Sequence, residues 1–130
     1  MKINISLFTD DLIKSIGAGV YDISIDVNGY RKSIYIGESS YSMLERCAHH
    51  LTKLKGSPEY FGFTKETINK PEITLIFSII TEEDDEDKRG KIEIEKIKKV
   101  EPLSQSGIKD NMKNNEDKIN ALNQFLNCHT

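Results

Sequence analysis

Tryptophan is absent from these 130 residues, and cysteine and proline are scarce, at two and three. Cys47 and Cys128 stand far apart with no metal-ligand spacing around them, so free thiols are expected and a zinc site is not. No apolar run approaches the roughly 18 residues of a membrane span, and the amino terminus carries no signal-peptide pattern. A cytoplasmic protein without a membrane partner is therefore expected. Internal repeats are missing too, and the length suits one domain over 1–130 with a sizeable core. Positive charge is not in excess, since the formal net charge is −3. That balance argues mildly against a nucleic-acid partner. Its distribution softens the point, because six consecutive acids fill 82–87 and the rest of the chain has 18 basic and 15 acidic residues. The run reads as a solvated segment that repels DNA and lies away from any cleft.

What is present is a legible order of elements. Residues 2–8 read as a short strand and Thr9–Ile16 as a short helix capped by Thr9. A hairpin spans 19–26 and 30–36. Ser42 and Glu45 form a capping box, and the helix behind them runs to about Lys55 with an apolar stripe of Leu44, Cys47, Ala48, Leu51 and Leu54. Residues 57–71 connect. "EITLIFSIIT" from Glu72 to Thr81 is apolar on both faces, as a central strand covered on each side would be. Lys88–Val100 is expected to be a helix ended by Pro102, and 114–127 a closing helix with Ile119, Leu122 and Leu126 inward. The expected fold is α/β, a small three-stranded antiparallel sheet flanked by helices, with a core over about 17–105.

The hairpin carries two tyrosines, Tyr21 in Gly-Val-Tyr and Tyr35 in Tyr-Ile-Gly. A two-residue turn at Asn28-Gly29 pairs Val27 with Tyr30 and sends the two phenols to opposite faces. A three-residue loop with Asp26 facing Tyr30 and a bulge at Gly29 sets them directly opposite one another on one face. Asp26, Asn28 and Gly29 occupy the places such a loop favours, so the second geometry is expected. A pair serving only packing is the plain alternative.

On the helix that follows, Arg46 and His50 are four residues apart and share a face away from the Leu44–Leu51 stripe. Such a pair is ordinarily polar surface. Here it follows the Tyr35 strand after a short loop, so two phenols, a guanidinium and an imidazole are expected to converge. Further on, "KIEIE" at 91–95 would place Glu93 and Glu95 on one face if it were a strand. A helix explains more: Gly90, Glu93, Ile94, Ile97 and Val100 fall on one stripe, and Lys88, Lys91, Glu95, Lys98 and Lys99 on the other side. Glu93 is then a carboxylate on an inward stripe, where an unpaired charge is costly.

Gly19-Val20-Tyr21, Tyr35-Ile36-Gly37, Arg46 and His50, in that order, resemble the GIY-YIG nuclease family. The resemblance continues into "IEIEKIKKVEPLSQ", where it places the family's catalytic glutamate at Glu93, its apolar position at Ile97 and its proline at Pro102. Gln105 stands where the family often has asparagine, the Tyr35–Arg46 interval is one residue longer than the family's pattern, and the hairpin is somewhat longer too. The resemblance implies a DNA endonuclease that uses one Mg²⁺ or Mn²⁺ ion held by Glu93. It assigns catalysis to Tyr21, Tyr35, Arg46, His50 and Glu93, and substrate contacts to Gly37, Ser39, Lys53 and Gln105. Phosphodiester hydrolysis needs an activated water and a neutralised phosphate. Arg46 is expected to clamp the phosphate, Tyr21 to act as general base with help from His50, and Tyr35 to orient water or phosphate. Two other readings are a catalytically silent nucleic-acid-binding or regulatory module on the same scaffold, and a protein-interaction module whose tyrosines merely pack. No added DNA-reading domain is visible, so specificity would fall to loops 57–71 and 103–113 or to a homodimer on a palindromic duplex.

Overall fold

The Asn28-Gly29 pair sets the shape of the hairpin on which the rest of the sheet is built. In a computed structural model, which describes residues 1–109 and 111–129, both lie in the left-handed region, at φ 53° and 85°. That is the signature of a two-residue type I′ turn, and Val27 pairs with Tyr30. The expected three-residue loop is not formed. The extra residue is inserted higher up. Strand β2 (Gly19–Val27) and strand β3 (Tyr30–Ser39) pair through Ser24–Ser33 and then Ile23–Tyr35, which leaves Ile34 as a bulge. Tyr21 consequently faces Gly37 rather than Tyr35. The two tyrosines share a face as diagonal neighbours, with ring centroids 6.3 Å apart.

Strand β4 (Ile73–Glu82) lies antiparallel to β2 on its other side, and β1 (Asn4–Leu7) adds to the far edge of β4 in parallel. The sheet is thus four-stranded and mixed, in the order β1-β4-β2-β3, and the fold is α/β. The expected three antiparallel strands form its larger part. The fourth, only four residues long, carries no signal of its partner in the sequence. Helix α1 (Leu12–Ser15) is a single turn capped by Asp11, not Thr9.

Helix α2 (Met43–Gly56) starts at Ser42, whose Oγ accepts the Glu45 N–H at 3.1 Å. Its buried residues are Met43, Cys47, His50 and Leu54, so the helix is rolled from the expected stripe: Ala48 faces out and His50 faces in. Gly19 permits this seating, because a Cβ there would lie 2.8 Å from the Met43 methyl and 2.3 Å from the Thr81 carbonyl oxygen. After two short 3-10 turns, Pro58–Phe61 and Thr67–Asn69, come β4, α3 (Glu86–Val100) and α4 (Asn115–His129).

Two cores result. Tyr21, Ile23, Ile25, Val27, Leu75 and Phe77 pack on one face against α2, α4, Phe61 and Phe63. Val20 and Ile36 pack on the other face against Ile92, Ile97 and Val100 of α3. Burial along β4 alternates, with Ile73, Leu75 and Phe77 buried and Thr74, Ile76 and Ser78 half-buried. The expected cover on both sides is therefore incomplete: α3 lies mainly over β2 and β3 and reaches β4 only near Ile80. The outer edge of β3 is sealed by the segment after α3. The Leu103 and Ser104 N–H groups donate to Ser33 and Ile34, and the Gln105 amide bridges the Ile36 N–H and C=O at 2.9 and 2.8 Å. Among the described residues, no helix is long and apolar enough to cross a membrane.

Candidate active site

Tyr21 on β2, Tyr35 on β3, and Arg46 and His50 on α2 come together at the carboxyl end of β3. The Tyr21 hydroxyl lies 2.8 Å from His50 Nε2 and within hydrogen-bonding reach of the Arg46 guanidinium. The Tyr35 ring meets the His50 ring edge-on, with centroids 4.9 Å apart. Gly37 makes room for them: a Cβ there would lie 2.5 Å from the Tyr21 hydroxyl and 2.7 Å from Tyr35 Cε1. The Tyr21 phenol is thus hydrogen-bonded to a histidine as well as packed against Tyr35. Tyr60, in the first 3-10 turn, completes the cluster with its hydroxyl 2.8 Å from His50 Nδ1. In the sequence Tyr60 is only one of several aromatics in the 57–71 connection.

Burial dominates the electrostatics. It pushes the Tyr21 phenol well above its ordinary range, with Cys47 and Tyr35 adding to the effect and Arg46 opposing it. It pushes the Cys47 thiol up as well. His50 falls to about 3, through burial first and then the nearby charges of Arg46, Lys53 and His49. Burial works against the Arg46 charge, but the Tyr21 and Tyr35 phenols outweigh it and the guanidinium is held more firmly protonated. At neutral pH the resting cluster is thus a neutral Tyr21 phenol, a neutral imidazole and the cationic Arg46. His50 brings no charge to a phenolate; its contribution is a hydrogen bond.

A depressed histidine pKa has a consequence for folding. The folded state holds His50 neutral while the unfolded chain takes up a proton below about pH 6.5. The stabilising contribution is therefore whole above that pH and is lost as pH falls toward 3. Chemical denaturation at stepped pH should show stability falling over that window, by up to about 1.4 kcal/mol per pH unit from this group. His50→Gln should remove that part of the slope, and an unchanged slope would count against the buried neutral imidazole.

The remaining predicted positions fall around this cluster. Arg46 is exposed and lines a shallow hollow with Ser39, Tyr41, Ser42, Glu45 and His49. Ser39 accepts the Tyr41 and Ser42 N–H groups, and so shapes the loop that leads into α2. Lys53 is exposed, with its ammonium 5.7 Å from the Tyr60 ring centroid. Gln105 is buried at 3% exposure and holds the β3 edge, so it offers a ligand no surface; its assignment to substrate contact gives way to a bracing role.

Glu93 is buried at 7% exposure on α3, whose inward residues are Arg89, Glu93 and Ile97; Glu95 is exposed. The helical reading of 91–95 holds, and Ile92, misplaced on the expected stripe, joins the second core. Because α3 covers the face of the sheet opposite α2, Glu93 approaches β3 from the other side. It lines a hollow of about 510 Å³ with Glu38, Glu86, Asp87 and Lys91. Glu38 follows Gly37 directly and accepts from Arg89 Nε at 2.5 Å, so the end of β3 stands between the tyrosine cluster and the Glu93 hollow. The acid run is not remote from that hollow. Glu86 and Asp87 line it, and the carbonyls of Glu83 and Asp84 hold Arg89. The position expected for the run, away from any cleft, is corrected.

Among the described residues, no three His, Cys, Asp or Glu side chains gather as a metal cage. A buried carboxylate in a hollow it shares with Glu38, Glu86 and Asp87 suits Mg²⁺, which keeps most of its waters and needs one or two carboxylates from the protein. No family model, no curated protein and no solved structure matches the chain.

Proposed function

We propose that this chain is a metal-dependent endonuclease that hydrolyses DNA phosphodiester bonds on a GIY-YIG-like scaffold, with the three antiparallel strands β3-β2-β4 as the catalytic platform. One observation carries the reading: Tyr21, Tyr35, Arg46 and His50, far apart in sequence, come into one cluster in which the Tyr21 hydroxyl bonds His50 and the Tyr35 ring packs on it. Arg46, exposed at the rim, clamps the scissile phosphate through its planar fork. Tyr21 acts as general base on the attacking water, its phenolate hydrogen-bonded by His50 and balanced by Arg46. Tyr35 orients the water or the phosphate. Glu93 would hold one Mg²⁺ or Mn²⁺, which when bound supplies positive charge for the phosphate and the leaving oxygen. Ser39 and Lys53 flank the path of the DNA, and a homodimer would match a two-fold target.

The test is incubation of the protein with supercoiled plasmid and with unmodified phage DNA, in Mg²⁺, Mn²⁺ or EDTA. Cleavage that depends on the cation supports the reading. The burial of Tyr21 and Tyr35, with Glu93 on the opposite side of the sheet, is the arrangement expected of an interaction module whose tyrosines merely pack, and it also favours a silent module that binds nucleic acid or regulates. Binding without cleavage in any cation would establish that reading instead.

A further inference from the structure

Two hydrogen bonds on His50 fix a direction that the roles above do not use. A neutral imidazole has one N–H and one bare nitrogen, so one of its bonds donates and the other accepts. Tyr21 decides which. Arg46 can only donate to the Tyr21 oxygen, so it cannot receive the phenol's proton. Tyr21 is fully buried, so in the resting structure its hydroxyl has no surface open to bulk solvent. The acceptor is His50 Nε2, 2.8 Å away. Nδ1 then carries the hydrogen and donates to the Tyr60 hydroxyl, also at 2.8 Å. A dissolved histidine prefers the opposite tautomer, with hydrogen on Nε2, so this arrangement is imposed by the site.

Tyr60 is well held for the task. The ammonium of Lys118, on α4, donates to the Tyr60 carbonyl at 3.0 Å and lies 5.3 Å from its ring centroid; that of Lys53 lies 5.7 Å from it. Unlike Tyr21, Tyr60 is only half-buried, so the chain of bonds runs from a sealed phenol to one near solvent.

We propose that Tyr60 is a positioning residue that receives the Nδ1–H of His50, in the tautomer that Tyr21 sets, and gives the Tyr21 proton its exit. The Tyr21 O–H bond breaks as Nε2–H forms. The Nδ1–H bond breaks as a new O–H forms on Tyr60, and the former Tyr60 proton passes to water. What remains is a Tyr21 phenolate beside Arg46, a neutral His50 in its other tautomer and an unchanged Tyr60. No imidazolium persists, which accords with its being strongly disfavoured there by burial. The use of this exit in turnover rests on the nuclease reading; the tautomer does not.

The experiment separates the two. The full chain, with isotope-labelled histidine nitrogens, is read by long-range proton–nitrogen correlation at neutral pH, and His50 is assigned by its loss in His50→Gln. Wild type and Tyr60→Phe should carry the hydrogen on Nδ1, because the Tyr21 proton still needs a bare Nε2, and Tyr21→Phe should free the ring to hold it on Nε2. Hydrogen on Nε2 in wild type, a spectrum that needs no variant to fold, overturns the proposal. So does a tautomer indifferent to Tyr21→Phe. On plasmid with Mg²⁺, Tyr60→Phe should lower kcat roughly 10–100-fold with KM kept; a wild-type kcat overturns the exit. A wild-type protein that cuts nothing overturns the nuclease reading alone, and the tautomer still decides what Tyr60 holds.

Discussion

Glu93→Gln should abolish metal-dependent cleavage, by at least about 10²-fold, while the variant still binds DNA. Even outer partners of a metal ligand are worth about 10–100-fold, and here the ligand itself loses its charge. Glutamine keeps the shape of the side chain, which matters for a residue at 7% exposure. Glu95→Gln is the internal control. It lies two residues away and is exposed, where a substitution changes stability by no more than about 0.5 kcal/mol and touches no hollow. Cleavage rates on plasmid, with binding measured in parallel by gel shift, separate the outcomes. Loss of cleavage in Glu95→Gln with Glu93→Gln intact would move the ligand and refute the assignment. Loss of binding in Glu93→Gln would show a structural carboxylate instead.

That contrast was legible in the sequence because helical periodicity separates neighbours two apart, and the helix over 91–95 is long enough for the pattern to speak. The Ser42–Glu45 capping box placed α2 to within a residue for the same kind of reason: the signal is local. The sequence could not give the roll of α2. Leu44, Ala48 and Leu51 look more apolar than His50, yet the seat of Met43 against Gly19 turns the imidazole inward, and that contact joins residues distant in the chain. The hairpin failed similarly. Asp26, Asn28 and Gly29 satisfy two loop types, and what decides between them is an unpaired residue at Ile34, inside a strand that carries no glycine to mark a bulge there. The tyrosines still share a face, through the bulge rather than the loop. Tyr60 was invisible because a 3-10 turn of four residues has no period to read, and its role depends on where α2 and α4 leave it. Gln105 was read by analogy of position, while burial and its two bonds to Ile36 give it to the sheet edge.

Arg46→Ala should reduce cleavage by about 10²–10³-fold, the usual cost of removing one fixed donor from a developing oxyanion. Two effects add here. The guanidinium opposes the rise in the Tyr21 pKa, so its loss removes that charge together with the clamp on the phosphate. Water activation and phosphate binding should therefore fail together, and raising the pH should recover little of the rate. Arg46→Lys separates charge from shape. It restores a positive charge but not a planar fork, so it should recover only a small part of the activity. Because Arg46 is exposed, neither variant should disturb the fold by more than about 1 kcal/mol, which thermal melting can verify. A substantial loss of stability would assign Arg46 to the architecture of the Tyr21–His50 cluster, and wild-type cleavage in Arg46→Ala would remove it from the site altogether.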